Sequence, residues 1–237
     1  FFKRCFEIQP MNRYASAIGY RYYLNILELT KQKGRRDGNI AEELSEAIKW
    51  LDKAIAIRPD SIKDNYRKGK LILEKQIDYY KRSQKEWTRE TFLEIERMEL
   101  DGVSCLERVI SEYENQNDEK AINYFKSEYV KALYSLACYY IEKPKSIWYE
   151  YVCCKLLGDT FEHNIHLDDM SYIAKARELF EKCFQAETDM PLDGDIDYIV
   201  LSRPDKKWSV SPMDKLYRLG QVYLEMFFIK NVINHKD

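Results

Sequence analysis

Glycine and proline are scarce in this chain, with eight and six among 237 residues. An all-β fold needs a turn signal about every eight to twelve residues, so that class is excluded. No run approaches the ~18 apolar residues of a membrane-spanning helix, and no signal-peptide pattern opens the sequence. Charge of one sign is lacking too: 38 Lys and Arg face 40 Asp and Glu, a net charge of −2. Such a balance gives no global attraction to nucleic acid or to an anionic membrane. Only three histidines occur, His163, His166 and His235, so acid–base chemistry has few carriers. Cys5, Cys105, Cys138, Cys153, Cys154 and Cys183 show no CxxC spacing and fall in helix-like segments. They read as reduced thiols of a cytoplasmic protein. Phosphate-loop, dinucleotide, nucleophile-elbow and zinc-protease signatures are all absent, so the expectation is a non-enzyme with no cofactor and no metal.

What is present is a core and a repeated phrase. Apolar residues make up 45% of the chain and aromatic ones 14%, enough for an ordered interior. Phe1–Pro10 reads FFKRCFEIQP and Trp50–Pro59 reads WLDKAIAIRP. Superposed, Phe2 and Leu51 coincide, as do Cys5 with Ala54 and Pro10 with Pro59. A third copy, LFEKCFQAE, begins at Leu179 and places Phe180 and Cys183 in the same positions. Self-similarity of this kind marks a helical repeat. Phe1 opens inside what should be the second helix of a unit, without a preceding Met. The chain is therefore expected to be a piece of a longer protein, contacting a missing N-terminal segment or a partner chain.

Apolar periodicity and caps predict nine helices, at roughly 1–9, 11–32, 40–58, 61–86, 91–115, 119–142, 146–165, 168–187 and 212–232. Ser61 with Asp64 and Thr91 with Glu94 resemble capping boxes, and Ser211-Pro212 places a proline at a first helical position. Lys143-Pro144-Lys145 is expected to end one helix, with Ser146 capping the next. Helix 40–58 carries one buried stripe, whereas 119–142 is apolar on more than one side, as a helix packed on both flanks would be. Two interruptions stand out: the basic loop 33–39 (KGRRDGN) and the long connection 192–211. A loop as long as the second reads either as a gate or second partner contact, or as an ordered cover for the last helix pair.

These residues resemble the tetratricopeptide repeat, a helix–turn–helix of about 34 residues with the pattern W-x2-L-G-x2-Y, A-x3-F and P. The first-helix half stands in LYRLGQVY (Leu216, Leu219, Gly220, Tyr223), CKLLGDTF (Leu157, Gly158, Phe161) and LYSLACYY (Leu136, Ala137, Tyr140). Weaker copies centre on Gly19 and Gly69. The second-helix half stands in Ala47, Leu51, Ala54 and Pro59, and again in Ala176, Phe180 and Cys183. The resemblance implies an all-α, right-handed α-solenoid of antiparallel helix pairs, a single domain over 1–237. Gly19, Gly69, Ala137, Gly158 and Gly220 would be the points where paired helices cross, because only a small residue lets them approach. Cys5 and Cys183 then stand where Ala is usual, as small core residues. The interval from Gly69 to Leu106 exceeds a regular repeat, so the array is divergent.

First helices line the concave face of such arrays. The resemblance thus implies a groove carrying Tyr20, Tyr66, Lys70, Tyr134, Lys155, Asp159, Tyr217 and Gln221. Tyrosine offers wide contact area with few rotors and a polar tip, which suits peptide capture, although tyrosines also pack between helices. The residues following the small positions are Tyr20, Lys70, Cys138, Asp159 and Gln221, never Asn. The carboxylate clamp that some family members use on chaperone tails is not expected. Glu162, His163, His166, Asp168 and Asp169 include ligand types for a metal, but the stretch reads as one helix end and the next helix cap. Cys154 and His163 are too far apart along one helix to form a catalytic pair.

The expected function is a non-enzymatic scaffold that holds a partner peptide or helix in the tyrosine-rich groove, without membrane contact. One alternative is a regulatory domain of a larger catalytic assembly, such as the tetratricopeptide region preceding caspase-like peptidases in bacterial defence proteins. The other is an RNA-binding array using Lys33, Arg35, Arg36, Lys70, Lys206 and Lys207 with tyrosines as stacking platforms.

Overall fold

The computed structural model describes residues 1–31, 38–158, 169–188 and 209–228. Among them all regular structure is helical, in eight helices. These are α1 (Phe2–Ile8), α2 (Asn12–Lys31), α3 (Gly38–Ile57), α4, α5 (Arg89–Glu114), α6 (Glu119–Leu157), α7 (Asp169–Thr188) and α8 (Pro212–Phe228). Helix α4 is Ile62–Leu71, a π-helical turn Ile72–Gln76, and Ile77–Ser83 in continuous succession.

The count is eight and not nine because Pro144 does not end a helix: it lies inside α6. A proline removes one backbone donor, yet Tyr140 and Ile141 just before it are buried and hold the segment in register. Two caps also differ from expectation. The first helical residue of α5 is Arg89, and its cap is Thr88, whose side chain accepts from the Thr91 backbone in a reciprocal capping box. Ser61 does not cap the α4 backbone but donates to the Asp64 carboxylate at 2.6 Å. Helix α8 begins at Pro212, as the sequence implies. The basic loop and the long connection lie mostly outside the described residues.

Contacts divide the chain into two compact units, residues 1–128 and 129–237. In the first, the register follows from paired residues. Asn12 donates to the Ala54 carbonyl, a Cβ at Gly19 would lie 2.9 Å from Leu51 Cγ, and Asn25 donates to Glu43, so α2 and α3 are antiparallel. Ser16 donates to Asp64, and Arg67 lies over the Tyr20 ring, so α4 runs parallel to α2. Lys68 meets Asp101, and Gly69 meets Leu106 and the Gly102 carbonyl, so α5 returns antiparallel to α4. Helix α1 runs parallel to α3, with Lys3 near Glu46 and Phe6 edge-on to Trp50 at 5.3 Å. The core along these pairs is apolar, with Ile26, Leu44, Ala47, Leu51 and Leu71 in one cluster and Ile72, Ile77, Ile95 and Met98 in another. Removing such side chains from water is the main driving force for the helices to form at all.

The second unit repeats the alternation. Tyr134 packs on Phe180, Tyr140 on Tyr172, and Cys183 reaches the Val130 carbonyl, which sets α7 antiparallel to α6. Arg218 pairs with Glu142 and Lys145 with Glu225, so α8 runs parallel to α6. Val130, Leu133, Ala137, Ile141, Ile173, Ala176 and Phe180 are fully buried between them.

Of the five small residues expected at crossings, Gly19 and Gly69 are crossings and Ala137 is fully buried. Gly158 is not: it follows the last residue of α6 with φ +70°, a left-handed stop that glycine adopts without strain. Gly220 is exposed, and a Cβ there would meet nothing within 4 Å. Gly102 was not anticipated. It lies against Leu73 of the π-helical turn, at 2.8 Å from a built Cβ, and makes the α4–α5 crossing a two-glycine contact. Cys183 is a fully buried core residue, whereas Cys5 is half-buried.

One polar residue ties three helices together. Lys68, whose side chain is only 11% exposed, bridges Asp52 of α3 at 2.7 Å and Asp101 of α5 at 2.8 Å. Burial works against its charge, but the hydrogen bonds it donates to Asp101 and Asp52 prevail and hold its pKa above the ordinary 10.5. Its contribution to stability is therefore complete below 10.5 and is lost as pH rises through the folded-state value. Lys68→Met is expected to cost about 1 kcal/mol, since both partners are half-exposed. The difference from wild type in denaturant unfolding should be level through neutral pH and shrink only in strong alkali.

Candidate functional site

The expected groove residues fall in both units, so each group is described by itself. In the first unit, α2 and α4 run side by side and present one stripe each. Positions 63, 67 and 70 share a face of α4, and each carries a cation set against a tyrosine. Lys63 Nζ lies 3.9 Å from the centroid of Tyr124, Arg67 Cζ 4.0 Å from that of Tyr20, and Lys70 Nζ 5.8 Å from that of Tyr66. Tyr20 also stacks on Tyr23. Of the expected residues, Tyr20 is 40% exposed and Lys70 is half-buried beside Glu74 at 3.7 Å. Tyr66 is only 8% exposed, so its ring fills the interior between helices.

Burial governs the titration of these phenols. Tyr23 is pushed up to about 12 by burial, with Glu74 adding and Arg67 opposing. Burial raises Tyr66 further, reinforced by Tyr23, Glu74 and Glu128. Neither ionises near neutrality, so both act as neutral donors. Beneath the stripe, the Asp64 carboxylate, 1% exposed, accepts from Ser16 at 2.5 Å, Ser61 at 2.6 Å and Asn12 at 3.2 Å, with Arg67 at 3.5 Å. That network fixes Arg67 over the Tyr20 ring.

In the second unit, Arg218 of α8 is the organising residue. It donates to Gln221 at 2.8 Å, pairs with Glu142 at 3.5 Å, and hydrogen-bonds Tyr134. Burial disfavours its charge, but Cys138, Tyr134 and Glu142 outweigh that and raise its pKa. Tyr134 rises to about 12, chiefly through burial and then through Cys138, with Arg218 opposing. Gln221 in turn donates to the hydroxyl of Tyr217, which is 66% exposed. Tyr134, Tyr217 and Gln221 are thus brought into one network. Lys155 belongs to α6, but its side chain lies outside the described residues, as do Asp159, His163 and His166.

Sequence reasoning missed Lys63, Arg67 and Arg218. The first two had a readable signal, the i, i+4, i+7 spacing with Lys70, whereas Arg218 is defined only by partners on another helix. Among the described residues no group of three or more His, Cys, Asp or Glu could hold a metal ion. No described helix is long and apolar enough to cross a membrane. Cys105, buried beside Asp101, is pushed up to about 11 by burial despite the opposing charge of Lys68, which makes it a poor nucleophile. No family model matches the chain, and no curated protein or solved structure matches it significantly.

Proposed function

We propose that this chain is a tetratricopeptide-like, right-handed α-solenoid that acts as a non-enzymatic protein-interaction module. It would capture an extended segment or helix of a partner protein on the tyrosine-rich faces of its first helices. The observation that supports the reading is the pair of close crossings at Gly19–Leu51 and Gly69–Leu106 together with the parallel run of α2 and α4, as neighbouring first helices of such an array would have. Exposed Tyr20 and half-buried Arg67 and Lys70 then lie on the shared face. Aromatic and arginine side chains are the usual anchors of such contacts.

The test is capture of a partner from native extract by the purified chain, with and without nuclease, followed by direct binding to the identified partner. Tyr20→Ala, Lys70→Ala and Tyr217→Ala are expected to weaken that binding by roughly tenfold each while leaving the helical spectrum unchanged. Tyr66→Phe, which removes a hydroxyl and keeps the buried ring, should change it little. Binding unaffected by all three alanine variants would refute the groove. Capture lost on nuclease treatment and falling steeply with salt would instead favour an RNA-binding array.

A further inference from the structure

The first part of helix α4 is closed on every side but one. Between Ile62 and Leu71 the only residues not buried are Lys63, Arg67 and Lys70. All three are cations, and they share one line of the helix. That line runs between Tyr20 of α2 and Tyr124 at the start of α6, 40% and 63% exposed. The side chains of Arg67 and Lys70, 17% and 27% exposed, lie deeper. The cations thus form a floor, and the two tyrosines stand as its walls.

The charges on this floor are incompletely matched. Asp64 already accepts from Ser16, Ser61 and Asn12, and it meets only Nη1 of Arg67, at 3.5 Å. Ser16 is the other partner of that same nitrogen, so among the described residues Nε and Nη2 bind nothing. Lys70 has Glu74 at 3.7 Å, a loose surface contact. Lys63 is held by the Tyr124 hydroxyl and ring and, among the described residues, pairs with no carboxylate. A guanidinium with its Nε and Nη2 fork open favours a planar carboxylate in a two-point contact. Nucleobases are served less well, because stacking needs a free aromatic face. Here Tyr20 is engaged by Arg67 and Tyr23, and Tyr124 by Lys63 and Phe125.

We propose that this floor seats an acidic, extended segment of the partner protein, whose Asp and Glu side chains meet Lys63, Arg67 and Lys70 in turn. The proposal rests on the groove reading above and names the chemistry of what the groove holds. Along the helix axis the three cations are ~6 and ~4.5 Å apart. Alternate residues of an extended chain are ~6.7 Å apart, a difference that the flexible lysine stems absorb. Side-chain carboxylates within the segment are sufficient, so no free C-terminus is required.

A random peptide library displayed on phage and panned on the whole chain tests it. The wild type should enrich segments with Asp or Glu at alternate positions. The enriched peptides, made with amidated ends, are then measured by fluorescence anisotropy. Lys63→Gln combined with Lys70→Gln should weaken their binding by at least about tenfold. Arg67→Lys, which keeps the charge and loses the fork, should weaken it by about threefold. Lys63→Glu combined with Lys70→Glu should turn the selection toward basic peptides, while circular dichroism stays native. Enriched peptides without acidic residues, acidic ones indifferent to these substitutions, or no enrichment at all would each overturn the proposal. Where uncharged peptides are enriched and still need Tyr20, the acidic occupant alone falls and the groove reading stands. An oligouridylate that binds more tightly than the enriched peptides overturns the proposal in favour of RNA.

Discussion

Gly69→Ala is expected to lower the free energy of unfolding by about 1–3 kcal/mol, a large effect for one methyl group. The added Cβ would lie 2.7 Å from Leu106 Cγ and 2.9 Å from the Gly102 carbonyl oxygen. The leucine can turn aside, but the carbonyl is part of the α5 backbone, so the two helices must separate. Gly19→Ala should cost less, because the nearest atoms belong to the flexible end of Leu51, at 2.9 and 3.0 Å. Gly220→Ala is the control of opposite sign. With nothing within 4 Å of the new Cβ, it should stabilise α8 by up to about 1 kcal/mol through the lower chain entropy of alanine. Denaturant unfolding of the three variants ranks them directly. Equal effects at Gly69 and Gly220 would mean that the α4–α5 crossing is not tight.

Asp64→Ala should be the most damaging polar substitution, at about 3 kcal/mol. The carboxylate is 1% exposed and gathers Ser16, Ser61, Asn12 and Arg67 from α2, from the turn before α4 and from α4 itself. Its removal leaves two hydroxyls without their acceptor and a guanidinium, 17% exposed, without its counter-charge. Asp64→Asn should cost less, since the amide oxygen still accepts but the charge is gone. Asn12 keeps its second acceptor, the Ala54 carbonyl. A double-mutant cycle with Ser16→Ala checks the network: coupling near zero would show that the two groups do not act as a unit. Loss of the Asp64 carboxylate should also loosen Arg67 over the Tyr20 ring, so partner capture is expected to fall along with stability.

Much of the first unit could be read in advance because its signals are local. The Ala47, Leu51, Ala54 stripe and the proline after it announce a second helix, and Gly19 and Gly69 lie where helices cross. Gly158 and Gly220 share the same motif letters, yet one ends α6 in a left-handed conformation and the other faces open space. A glycine permits close approach, but whether anything approaches depends on residues far along the chain. Pro144 shows the converse error: a strong local stop is overridden where Tyr140 and Ile141 are already buried. Tyr20 and Tyr66 were equivalent as letters. Their helices turn one outward and the other into the interior, which burial alone distinguishes.

Composition and periodicity were sufficient for the helical class, the placement of most helices and the identity of the core stripes, since these follow from the spacing of apolar residues within a turn or two. The parallel alignment of α2 with α4, the three-helix bridge through Lys68, the buried Asp64 network and the Arg218 cluster came only from tertiary contacts. Each brings together side chains from helices far apart in the sequence, and no local rule pairs such groups. Their partners are set by how closely the helices pack, and in the first unit that closeness rests on the small residues Gly19, Gly69 and Gly102.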